Sequence, residues 1–137
     1  MEYLENRLCY DDYRRLRTSV GWLNFSEEQT RKSIMCSLYT VAAVDKNRTV
    51  AMGRLIGDGL YYMVVDIVVQ PEYQRRGIGT HVVNMLVGYV ESRVPVGGRA
   101  SIFLAAEKGK EGFYEKMGFK RIPHDYCGSG MRKGIQK

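Results

Sequence analysis

An α+β domain with a mostly antiparallel sheet is predicted by three features of the sequence. Two short helical stripes lead the chain, three runs of strand period follow between residues 39 and 69, and a long apolar helical face over 78–92 precedes a short apolar run at 100–105. The helices therefore have a sheet to cover, and the closing strand, helix, strand order permits one right-handed parallel crossover.

Tyr13, Leu16 and Val20 recur at spacings of three and four in 10-YDDYRRLRTSV-20, which makes a first helix with arginines beside its apolar stripe. The stretch 21-GWLNF-25 then reads as a loop. Ser26 and Gln29 form a capping-box pair ahead of a second helix, 27-EEQTRKSIMCSL-38, with Ile34 and Leu38 as its apolar face. The period changes at 39-YTVAAV-44 and 49-TVAMGRLI-56, two strands joined at 45-DKNR-48, which has the length and polarity of a hairpin connection. A further turn, 57-GDG-59, leads to a third strand, 60-LYYMVVDIVV-69. Ile78, Val82, Leu86 and Val90, backed by Val83 and Val87, give a third helix over 78–92. After 95-PVGG-98, the run 100-ASIFLA-105 fits a buried strand and 109-GKEGFYEKMGF-119 a helix closed by Gly118. Terminal strands are expected at 120–122 and 129–134.

With 137 residues, 45% of them apolar and 26% charged, the chain fits a single domain spanning 1–137. The formal charge of +6 favours an anionic partner without singling out nucleic acid, and no zinc-finger or RNP-like motif narrows the choice. The N-terminal stretch MEYLENRL does not read as an export signal and no apolar run has bilayer-crossing length, so no membrane association and a cytoplasmic location are expected. Cys9, Cys36 and Cys127 lack metal-ligand or disulfide-framework spacing; free thiols and no metal are expected. Open sheet edges and apolar helix faces are compatible with a homodimer but do not locate an interface.

The stretch 73-YQRRGIG-79 sits between the third strand and the long helix. Main-chain amides at a helix start lack internal acceptors, so Arg75, Arg76, Gly77, Ile78, Gly79 and Thr80 could cradle a pyrophosphate, with the arginines adding positive charge. Gly77 and Gly79 would allow tight curvature and close oxygen approach. The alternative is an ordinary tight turn. The spacing is neither a Rossmann fingerprint nor a P-loop.

These residues resemble the Q-x-x-G-x-G signature of the GCN5-related N-acetyltransferase (GNAT) superfamily, and 113-FYEKMGF-119 resembles its second landmark. The resemblance reaches from about Tyr39 to Phe119. It implies a splayed, mostly antiparallel mixed sheet and an acetyl-CoA-dependent N-acetyltransferase acting through a ternary complex. It also implies that Ile67, Val68 and Val69 contact pantetheine and that Arg75 to Thr80 hold the pyrophosphate. The asparagine expected after the later strand is absent from 105-AAEKGKEG-112, where Lys108 or Lys110 could meet the adenosine phosphates instead.

By the same resemblance, an amide near Val68 or Val69 polarises the thioester carbonyl and Tyr114 donates to sulfur; the rival reading of Tyr114 is aromatic packing. Asp66, a carboxylate in an apolar strand, is a candidate base or amine-orienting group, or else a solvent-facing or loop-holding side chain. Trp22 and Phe25 could line the acceptor pocket or plug the helix pair. His81 is a helix-surface residue or a cofactor contact; the His124–Cys127 stretch, in a loop, does not read as a nucleophile pair or metal set, with a substrate contact as its alternative. The acceptor implied is a small-molecule primary amine; a peptide or protein amine, or a noncatalytic acyl-CoA sensor, are the alternatives.

Overall fold

The computed structural model describes residues 1–137, which divide into two compact units, Met1–Leu104 and Ala105–Lys137. The first unit contains a five-stranded sheet in the order β1 (Glu2–Glu5), β2 (Tyr39–Asp45), β3 (Arg48–Gly57), β4 (Tyr61–Val69) and β5 (Ser101–Phe103). Pairing is antiparallel from β1 to β4 and parallel between β4 and β5. Helices α1 (Tyr10–Ser19) and α2 (Glu27–Met35) precede β2, and α3 (Ile78–Arg93) makes the β4-to-β5 crossover.

Two apolar clusters hold this unit. Ile78, Val82, Leu86 and Val90 of α3 pack with Val41, Val50, Leu55 and Val64 of the sheet. Leu8 together with Tyr13 and Leu16 of α1 packs with Met52 and Val68. Each such buried aliphatic side chain contributes roughly 1.5–3 kcal/mol relative to exposure, which makes these packed faces the main source of stability. The predicted stripe of α3 and the Tyr13 and Leu16 positions of α1 are thus buried, whereas in α2 Ile34 is only half-buried.

The turn chemistry also follows the sequence. Lys46 and Asn47 both take positive φ (50° and 61°), as a two-residue hairpin requires, and Asp58 accepts main-chain N–H bonds from Leu60 and Tyr61 at the next turn. Ser26 Oγ caps α2 by accepting from the Gln29 N–H at 3.2 Å.

Four expectations are corrected. The strand β1 is absent from the sequence reading; it is a four-residue edge whose position comes from pairing with Val41–Val44 and from Tyr39 Oη donating to Glu5 Oε1 at 2.6 Å. Helix α2 stops at Met35, because the Leu38 N–H bonds the Leu55 carbonyl and starts the sheet, leaving Leu38 39% exposed rather than on an apolar helix face. β5 is three residues long and half open, with Phe103 40% exposed, so it is an edge rather than a buried strand. In the second unit no terminal strands form: the only β feature is a bridge between His124 and Cys127, in a segment where Pro123 lacks an N–H and 128-GSG-130 has little side chain to pack.

The second unit carries α4 (Glu111–Glu115). Its end has the paired bonds of a Schellman motif: Gly118 (φ 93°) donates to the Glu115 carbonyl at 3.1 Å and Phe119 to the Tyr114 carbonyl at 3.3 Å. The accompanying apolar contact is an edge-on packing of the Tyr114 and Phe119 rings. The predicted terminal glycine is therefore in place.

Candidate active site

The end of β4 and the start of α3 form the candidate cofactor site. A short 3-10 turn, Pro71–Tyr73, leaves β4, and the chain then passes through Arg75 (φ 63°) and Gly77 (φ 80°) before α3 begins. The first rung of the α3 ladder runs from the His81 N–H to the Gly77 carbonyl at 3.1 Å. The main-chain N–H groups from Arg75 to Thr80 have no acceptor within the chain. Six adjacent unbonded donors gather at the positive end of a sixteen-residue helix, an arrangement whose chemistry suits an anion. At Gly77 an added Cβ would meet no atom within 4 Å, so this face stays open for ligand oxygens while the left-handed backbone disfavours any larger residue.

Side chains fix the turn in place. Gln74 donates from Nε2 to the Val69 carbonyl at 2.9 Å, joining the turn to the end of β4. Tyr73 donates from its hydroxyl to Asp45 Oδ2 at 2.8 Å, and the Arg76 guanidinium lies over the Tyr73 ring at 4.9 Å. His81 is exposed and stacks on Tyr3 at 3.8 Å between ring centres.

Beside the turn, β4 has a free edge. Its pairing with β5 ends at Met63↔Phe103, so Val64–Val69 have no strand partner on that side. The ladder to β3 shifts register between Met52 and Arg54, which places Asp66 and Ile67 opposite Gly53 in a β-bulge. Gly53 is required there: a Cβ would lie 2.6 Å from Ile67 Cδ1, 2.7 Å from Val82 Cγ1 and 3.0 Å from Leu86 Cδ1. The sequence-predicted residues Ile67, Val68 and Val69 thus line a strand end with an open edge, and Arg75–Thr80 continue from it.

Asp66 occupies the bulge with φ 57° and does not face solvent. Its carboxylate accepts from Arg17 Nη1 at 2.6 Å, Arg54 Nε at 2.9 Å and the Tyr13 hydroxyl at 2.8 Å. Burial, then the negative charge of Asp66, pushes the Tyr13 phenol up to about 12, so it remains a donor. The Trp22 and Phe25 rings flank the Arg17 guanidinium at 5.2 and 5.0 Å; Trp22 is half-buried and Phe25 is 59% exposed.

Arg17 and Arg54 escape the sequence reading, and Tyr13 enters it only as part of the apolar stripe of α1. A signal for Arg54 exists: it interrupts an otherwise apolar strand, and continuing the hairpin pairing of Gly57 with Tyr62 back to Arg54 reaches Val65, one residue from Asp66. Arg17 has no comparable mark, since its partner lies 49 residues away.

In the second unit, Tyr114 is half-buried and packs edge-on against Phe113 at 4.9 Å. Burial, then the charge of Glu107, pushes its phenol up to about 12, so it keeps its proton at neutral pH. The Cys127 N–H and the His124 carbonyl close a small turn, and His124 Nδ1 accepts from the Tyr126 N–H; neither His124 nor Cys127 is arranged as a nucleophile pair.

The five-stranded mixed sheet with its crossover helix is the fold of acetyltransferases of solved structure. Residues 36–121 match the family described as the acetyltransferase (GNAT) domain, and the chain belongs to that family. It is 32% identical over 123 residues to serotonin N-acetyltransferase 2, chloroplastic, of Oryza sativa subsp. japonica; the match covers 86% of this chain and 60% of the rice protein. A GNAT-family acetyltransferase from Streptococcus pneumoniae superposes with a TM-score of 0.81 at 28% identity, covering 99% of this chain and 98% of that one. An aminoglycoside 6′-N-acetyltransferase solved with coenzyme A has the same fold, with a TM-score of 0.72 at 23% identity over 89% of this chain and 86% of that one.

Proposed function

We propose that this chain transfers the acetyl group of acetyl-CoA directly to a primary amine of a small molecule, in a ternary complex. The observation that carries the reading is the run of six unbonded amides from Arg75 to Thr80, contiguous with the unpaired edge of β4. The family match crosses from the first compact unit into the second, which supports one functional domain. The amine named for the rice relative, and the coenzyme A in the aminoglycoside acetyltransferase, support the substrate pair.

Acetyl-CoA supplies an activated acyl thioester. The amides of Arg75–Thr80 hold its pyrophosphate, with Arg75 and Arg76 adding charge at the rim. Main-chain groups of Ile67–Val69 line the pantetheine, and an N–H near Val68 or Val69 donates to the carbonyl oxygen as charge develops there. Tyr114 is the donor to the departing sulfur, its phenol, kept protonated by burial, giving a hydrogen bond to the thiolate as the C–S bond breaks. Trp22 and Phe25 form the acceptor wall, an apolar surface suited to the hydrocarbon part of an amine.

The test is to incubate the full chain with acetyl-CoA and a panel of small amines, serotonin among them, alongside peptides, and to measure released CoA and acetylated product. Turnover dependent on a small amine is expected. Turnover with peptides alone would move the acceptor to the peptide class, and CoA binding without turnover on any acceptor would make the chain a sensor.

A further inference from the structure

We infer that Arg17 and Arg54 are positioning residues for this reaction: gripping Asp66 from α1 and β3, they lock the bend in β4 on which the carbonyl-side contacts of Ile67–Val69 depend. The inference rests on the proposed function and deepens its account of the thioester site.

The backbone at Asp66 is the starting point. A non-glycine residue at φ 57° inside a strand sits in a sparsely used conformation, which persists only where the surroundings over-determine it. Here they do so on both faces. Toward α3, the space above Gly53 is filled by Ile67, Val82 and Leu86, so the bulge has no room to flatten in that direction. Toward α1, three donors from two separate elements converge on one carboxylate.

The chemistry of the clamp points the same way. The side chains of Arg17, Arg54 and Asp66 are each about nine-tenths buried, with two positive charges for one negative. Such a cluster is a poor source of net stability, because desolvation offsets most of the Coulombic gain and apolar side chains would serve at least as well. What it supplies is direction: each guanidinium holds its N–H donors in a rigid planar fork, and Arg17 and Arg54 each bond a different Asp66 oxygen.

Each arginine also holds a second structure. Arg17 donates from Nη2 to the Leu23 carbonyl at 2.6 Å, in the loop that carries Trp22 and Phe25. Arg54 donates from Nη1 to the Ser33 carbonyl at 3.0 Å and to Ser37 Oγ at 2.9 Å, at the end of α2. The clamp therefore sets the aromatic loop and the β4 bulge in one frame. Asp66, with its oxygens engaged by these donors, acts as the anchor of that frame rather than as the base.

Calorimetric titration of the full chain with acetyl-CoA and with CoA separates the roles, because only the former has a carbonyl for the bulge to bind. In Arg17→Lys and Arg54→Lys, CoA affinity should stay within about twofold of the parent, since the Arg75–Thr80 cradle is untouched and the pantetheine contacts at Ile67–Val69, which both ligands share, are loosened rather than removed. Acetyl-CoA affinity should fall about fivefold, the size of one lost hydrogen bond. Where turnover is measured, kcat should fall without a change in the shape of its pH profile. If the lysine variants do not melt cooperatively, Tyr13→Phe, which removes one donor and no charge, carries the same comparison with a smaller drop in the same direction. An unchanged acetyl-CoA to CoA affinity ratio in folded variants overturns the clamp and leaves the proposed function standing. A parent that binds neither nucleotide overturns both.

Discussion

Tyr114 and Asp66 are the two side chains that the sequence reading singles out for chemistry, and they meet different surroundings: aromatic rings for one, two arginines for the other. Tyr114 lies among aromatic rings, with Glu107 adding negative charge, and its phenol is raised to about 12. A phenol shifted upward is protonated over a wider range than usual, so its donor form is complete at neutral pH and is lost only as the pH approaches 12. Tyr114→Phe should therefore lower kcat by about 100-fold with acetyl-CoA affinity unchanged. The parent should show no alkaline loss of kcat from this group near the ordinary phenol value of 10. Steady-state kinetics across pH, with calorimetry for binding, check both statements. Asp66 reads in the sequence as a lone carboxylate in an apolar strand; its two arginine partners are invisible there because they arrive from other elements. Residue type was legible, but the partners depend on register and on the bulge.

At the scale of elements, what the sequence announces best is what local chemistry decides. The two-residue turn at Lys46–Asn47, the Ser26 cap, the α3 stripe and the Gly118 terminus all rest on neighbours within a few positions. Edge strands do not: β1 and the short β5 exist through pairing to β2 and β4, and their lengths follow from where those partners lie. The bulge in β4 belongs to this second kind, and Gly53 is its counterpart in β3. Gly53→Ala places a methyl group within 3 Å of three side chains from β4 and α3. It should destabilise the fold by about 1–3 kcal/mol through overpacking. Thermal unfolding should accordingly show a midpoint lower by about 3–10 °C; an unchanged midpoint would mean that α3 can shift away from the sheet without cost.

For the molecule as a whole, the order of parts carries more information than any one of them. A strand, a basic glycine turn and a long helix in succession were legible in the sequence, and the structure leaves six main-chain amides unbonded where the turn meets the helix. The net charge of +6 fits a polyphosphate partner, without assigning where that charge acts. The match spans 60% of the length of its rice relative, so it covers part of that protein and not the whole. The acceptor was the least legible feature, because the wall proposed for it is a loop between two helices and loops follow no period. The central claim is that the start of α3 grips the diphosphate of acetyl-CoA and so aims the thioester along β4. A crystal structure of the chain with acetyl-CoA tests this directly: the account predicts pyrophosphate oxygens on the N–H groups of Arg75–Thr80 and the thioester beside Ile67–Val69, whereas cofactor density on another surface, with that turn empty, would contradict it.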